Sequence, residues 1–99
     1  MPETYTSGIW IVKEGAEDAF VAAWKEFAQW ATTMPGAGTL RLVRDHDDHS
    51  RYMSFAPWSS HEVQARWKET SEFRDGMARV REHVSDFTPS VYELIAEVS

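Results

Sequence analysis

One run, Thr6-Ser7-Gly8-Ile9-Trp10-Ile11-Val12-Lys13, limits the possible folds more than any other stretch of the chain. Its β-branched and aromatic residues favour a strand. Strand alternation then puts Ile9 and Ile11 on one face and Gly8, Trp10 and Val12 on the other. Both faces are apolar, so the sheet must be covered twice. The chain's own helices can cover one side, and the sheet of an identical subunit is the most economical cover for the other.

The rest of the chain supplies those helices. Glu14-Gly15 breaks the strand, and Glu17 and Asp18 place negative charge where a helix N-terminus favours it. Phe20, Trp24, Phe27 and Ala31, spaced four, three and four, form an apolar helical stripe, and Met34-Pro35-Gly36 stops it. Residues 39–44 and 51–56 read as two strands. Ser59-Ser60-His61-Glu62 has the spacing of a capping box, so a helix is expected from about residue 60, with Val63 and Trp67 inward. Thr70-Ser71 caps another helix carrying Phe73, Met77, Val80 and Val84 inward. Residues 88–98 read as a fourth strand by alternation. The expected order is β-α-β-β-α-(α)-β over one domain, residues 1–99. This is an α+β, ferredoxin-like plan with a four-stranded antiparallel sheet.

Between the middle strands lies RDHDDHSR, residues 44–51. Its aspartates and serine suit a hairpin turn. His46 and His49 with neighbouring carboxylates could instead hold zinc or nickel, although their spacing matches no known ligand motif.

Composition removes several function classes. Ten basic against sixteen acidic side chains give a net charge of −6, a poor balance for nucleic acid. No stretch has the roughly 18 apolar residues of a membrane helix. The terminus Met1-Pro2-Glu3-Thr4 lacks the pattern of a secretion signal, so a cytoplasmic protein is expected. There is no cysteine, hence no disulfide, thiol nucleophile or thiolate metal site. No Ser/His/Asp order, phosphate loop or nucleotide fingerprint occurs. Five tryptophans are many for a chain that removes only about 60 to 70% of its unfolded surface from water. They imply a covering partner, a ligand cavity, or both.

Taken together, several motifs resemble the antibiotic biosynthesis monooxygenase family. They are Val12-Lys13-Glu14-Gly15 with Glu17, Asp18 and Phe20; Pro35-Gly36-Ala37-Gly38; Leu42-Val43-Arg44-Asp45 with Asp47-Asp48 and Arg51-Tyr52; Ser54-Phe55 with Pro57-Trp58; and Trp67 and Phe73. The family's hairpin commonly has a proline where this chain has His49. The resemblance implies a homodimeric α+β barrel. It also implies a choice of activities: cofactor-free oxidation of phenols to quinones by O2, haem degradation, or none known. The haem-degrading branch uses an asparagine, a tryptophan and a histidine where this chain has Gly8, Trp67 and Met77. Two of the three are absent, so haem degradation is not expected.

If Gly8 faces a cavity, Trp10 and Val12 face it from the same strand, with Trp58, Trp67, Phe73 and Met77 opposite. Such a cavity suits a flat phenolic or polyketide-like aromatic, although the same stripes also make ordinary core. Cofactor-free oxygenation asks for a proton acceptor and an anion holder. His83 and Tyr52 are candidates for the proton, and Arg66 and Arg41 for the anion. The expected activity is a cofactor-independent monooxygenase. The alternative is a non-catalytic dimeric binding or structural module.

Overall fold

The computed structural model describes residues 3–99; the reading of Met1 and Pro2 lies outside it. The elements are β1 (Thr4–Val12), α1 (Glu17–Ala31), β2 (Arg41–Arg44), β3 (Arg51–Trp58), α2 (His61–Glu69), α3 (Ser71–Arg81) and β4 (Val84–Glu93). The strands form one antiparallel sheet in the order β2-β3-β1-β4. This is the α+β, ferredoxin-like order expected from the sequence.

The strand alternation decides which face meets the helices. Along β1, Thr4, Thr6, Gly8, Trp10 and Val12 are buried, while the odd-numbered residues stay half-buried. The even face carries the core, with Trp10, Val12, Tyr52 and Trp58 packing against Phe20, Trp24, Phe27 and Ala31 of α1. Each fully buried large apolar side chain contributes about 1.5–3 kcal/mol. Among the described residues no helix covers the odd face: Val43, Met53 and Tyr92 are 44%, 38% and 56% exposed there. They lie beside Ile9 and Phe55 in the strand register.

The central strands are longer than the sequence predicts and β2 is shorter. Thr4 pairs with Trp58, which carries β1 and β3 two residues further at that end of the sheet. At residues 39 and 40 no ladder forms, because the chain is held there by Gly38 N–H donating to the Pro57 carbonyl and by a lone Ala37 to Trp58 bridge. The helix caps differ in one place. Ser60, not Ser59, caps α2, accepting from the Val63 N–H at 3.2 Å, so Val63 takes the position the capping box reserves for glutamate. Thr70 serves two helices at once. Its hydroxyl donates to the Trp67 carbonyl at the end of α2 and accepts from the Phe73 N–H at the start of α3.

The largest difference is at the last helix and strand. Helix α3 stops at Arg81, and β4 runs over 84–93 rather than 88–98. Val84 therefore opens the strand instead of closing the helix. The cause is pairing with β1: Val84 lies opposite Val12, and Phe87 opposite Trp10. The alternation continues past Glu93, but the ladder with β1 ends where Thr4 lies opposite Glu93. Leu94 N–H donates to the Glu3 carbonyl, and Ile95 and Val98 stand 84% and 96% exposed. Among the described residues, no helix is long and apolar enough to cross a membrane.

Candidate functional site

A cavity of about 510 Å³ lies between the even sheet face and the helices. Residues of β1 and β3 form its floor, and α2 and α3 its far wall. Aromatic rings dominate the lining. Trp10 stacks on Phe87 with ring centroids 3.9 Å apart. Trp67 meets Phe73 edge-on at 4.7 Å, and Phe27 lies 5.8 Å from Trp67. Gly8 lies in the floor. A Cβ there would come 2.6 Å from the Phe87 ring and 3.2 Å from both Trp10 Nε1 and Ser54 Oγ, so any larger residue would displace the stacked pair. The backbone of α3 can approach α1 because residue 76 is glycine: a Cβ there would lie 2.7 Å from the Phe27 ring.

The indole N–H groups differ in their partners. Trp10 Nε1 donates to Ser54 Oγ and Trp58 Nε1 to Thr6 Oγ1, each at 2.9 Å. Trp67 Nε1 is buried and has no acceptor.

Of the residues singled out in the sequence, Trp10, Trp67, Phe73 and Met77 meet in this one cavity. Trp58 stands behind the wall, 4.5 Å from Trp67, and is only 1% exposed. Val12 is buried in the core towards the start of α1. Tyr52 packs on Phe20 at 5.1 Å and borders a second hollow of about 420 Å³, shared with Glu17, Asp18 and Leu42. Arg41 and Arg66 are exposed and border neither space. His83 is not on the last helix. It lies in the turn after α3, where its carbonyl accepts from Lys13 N–H.

Three charged residues that the sequence reading did not single out also line the cavity: Lys68 at the end of α2, and Arg74 and Arg81 on α3. Lys68 is about half buried, and burial holds its ammonium below the ordinary lysine range. The signal for the arginines is their spacing: 74, 78 and 81 fall on one helical face, with the small Ala78 between. Phe87 was hidden by its place ahead of the expected strand.

Among the described residues no histidine lines the cavity, and Gly8 carries no side-chain amide. The residues present therefore do not fit the haem-degrading site. At the hairpin, Asp45 Oδ1 accepts from the N–H groups of Asp47 and Asp48, and Asp48 Oδ1 accepts from the N–H and hydroxyl of Ser50. The carboxylates there build the turn. Among the described residues, no three His, Asp or Glu side chains come together as a metal site.

No curated protein matches the chain. Solved structures share its fold. SnoaB, a cofactor-independent oxygenase from Streptomyces nogalater, superposes with a TM-score of 0.86 at 20% identity, covering 100% of this chain and 97% of that one. Rv0793 from Mycobacterium tuberculosis gives 0.84 at 14% identity, covering 98% and 99%. SO0527 from Shewanella oneidensis gives 0.83 at 16%, covering 94% and 91%. Residues 9–79, from the middle of β1 almost to the end of α3, match the family model for antibiotic biosynthesis monooxygenase, and the chain belongs to that family.

Proposed function

We propose that this chain is a cofactor-independent monooxygenase that oxidises a small phenolic or polyketide-like aromatic with O2. The observation that carries the reading is the cavity of about 510 Å³ walled by Trp10, Phe87, Trp67 and Phe73. Its size suits a flat ligand of a few fused rings. The substrate anion gives up electrons to O2. One oxygen atom becomes the second quinone carbonyl, and the other leaves as water with two hydrogens, one from the phenol hydroxyl and one from the ring carbon that is oxidised. The protein's part is to hold the rings, keep water out and favour the anion.

The test is oxygen consumption in chelator-treated buffer with anthrone-like and dihydroxyaromatic compounds. Protein-dependent uptake with quinone formation is expected, and Trp67→Ala should abolish it while thermal unfolding remains a single cooperative transition. No uptake across the panel would sink the oxygenase reading.

The second reading, a binding module without turnover, draws on a specific observation. Among the described residues no histidine, aspartate, glutamate or tyrosine lines the cavity, so none of these general-base side chains faces a bound ring there. An oxygenase built this way depends on a substrate that is acidic by itself.

The partner is a second copy of the chain, docked on the odd sheet face. Val43, Met53 and Ile9 form an apolar row across β2, β3 and β1 on a face that no helix covers.

A further inference from the structure

We infer that the ligand of this cavity is an aromatic acid, a flat ring system bearing a carboxylate that Lys68, Arg74 and Arg81 receive at the α2–α3 side. The inference rests on reading the cavity as the ligand site, and adds the charge of what enters it.

Charge selection is the first support. The chain carries sixteen acidic and ten basic residues, so a site lined at random would be acidic. Three of the ten bases line this cavity and none of the acids does. The second support is the state of Lys68. Burial is the single cause acting on its ammonium, and no carboxylate offsets it. A half-buried ammonium without an anion loses hydration and regains nothing in the protein. An incoming carboxylate supplies the missing partner in a partly dehydrated site, where a charge-assisted bond is stronger than on the open surface.

The geometry of α3 is the third support. Arg74 and Arg81 stand seven residues apart on one helical face with Ala78 between them, and all three line the cavity while remaining exposed to solvent. Arg81 also lies 5.8 Å from the Phe87 ring centroid, which ties it to the stacked Trp10–Phe87 pair. Guanidinium suits a planar carboxylate because its fork matches the two oxygens. The rings then lie among the aromatic walls while the charge stays at the cationic side, and the same cations favour phenolate formation on a nearby ring.

Isothermal titration calorimetry of the full chain at neutral pH tests this with 6-hydroxy-2-naphthoate and its methyl ester, compounds alike in ring shape and unlike in charge. The acid should bind at least about tenfold tighter, as a partly desolvated charge-assisted bond allows. Its lead should shrink with added salt, and Lys68→Met with Arg74→Gln and Arg81→Gln should bring the acid down to the ester's affinity. Equal binding of acid and ester by the wild type overturns the inference and leaves the aromatic cavity standing. A preference that survives the triple variant overturns the assignment to these cations. Failure of both compounds to bind removes the cavity reading and this inference together. Tight, charge-dependent binding without oxygen uptake upholds the inference and removes only the oxygenase.

Discussion

Two of the buried indoles around the cavity have acceptors, Ser54 for Trp10 and Thr6 for Trp58, and Trp67 has none. A buried donor without a partner costs about 1–3 kcal/mol. Truncation of Trp67 still removes a ring packed against Trp58, Phe27 and Phe73, so Trp67→Ala should destabilise by about 3–5 kcal/mol. Trp67→Phe keeps much of the ring and removes the unpaired N–H; its loss in urea unfolding should be less than half as large. Lys68 has the opposite balance of stability and binding. Its pKa is lowered in the folded state, so the protonated form is the disfavoured one. The penalty is present while Lys68 is protonated. It is relieved as pH rises through the window between the lowered folded value and the usual lysine value of about 10.4. At neutral pH, Lys68→Met should therefore raise the melting temperature while weakening binding of an aromatic acid. A lower melting temperature would count against the desolvation account.

At the scale of elements, Gly76 decides how closely α3 packs on α1. Alanine has the higher helix propensity, by about 1 kcal/mol. At this position, however, the added carbon would meet the Phe27 ring at 2.7 Å. Overpacking of this kind costs about 1–3 kcal/mol, so Gly76→Ala should be net destabilising in chemical denaturation despite its propensity. The same element shows why sequence reading succeeds and where it stops. The stripe Phe20, Trp24, Phe27, Ala31 was legible because a helix facing one core must repeat its apolar residues near every 3.6 positions. Val84 was not, since its place after Val80 fits a helical stripe while its burial comes from pairing with Val12 on a strand seventy residues earlier. Leu94 to Val98 alternate like a strand yet have no strand beside most of their length, because pairing depends on where β1 ends.

For the whole molecule, the sheet face left bare by the helices is the surface on which the proposed dimer pairs. The dual apolar pattern of β1 announced two covered faces, and a single copy of the chain covers only one. Light scattering at micromolar concentration should give twice the 11.4 kDa chain mass, and Met53→Glu should return it to 11.4 kDa by placing a charge in the row with Val43 and Ile9. A wild type already at the chain mass would contradict the pairing. The aromatic half of the cavity could be read from the chain, because the family resemblance places Gly8, Trp67 and Met77 at a pocket, Trp10 shares a strand face with Gly8, and Phe73 lies four residues before Met77. Its cationic side could not. Lysine and arginine on a helix ordinarily face water, and only the relative placement of α2, α3 and the sheet turns Lys68, Arg74 and Arg81 toward a common space.

The contact between Trp58 and Trp67 has an optical consequence. With ring centroids 4.5 Å apart and planes inclined by 35°, the two indoles absorb as a coupled pair, so the far-ultraviolet dichroism of the folded chain should show a split band of opposite signs. Trp67 faces the cavity's aromatic wall and Trp58 is locked to Thr6, so one member of the pair is free to respond to an occupant while the other is held fixed. Any ligand that tilts Trp67 alters the splitting, and the protein thereby carries its own label-free reporter of occupancy, readable without a chromophore on the ligand and without turnover.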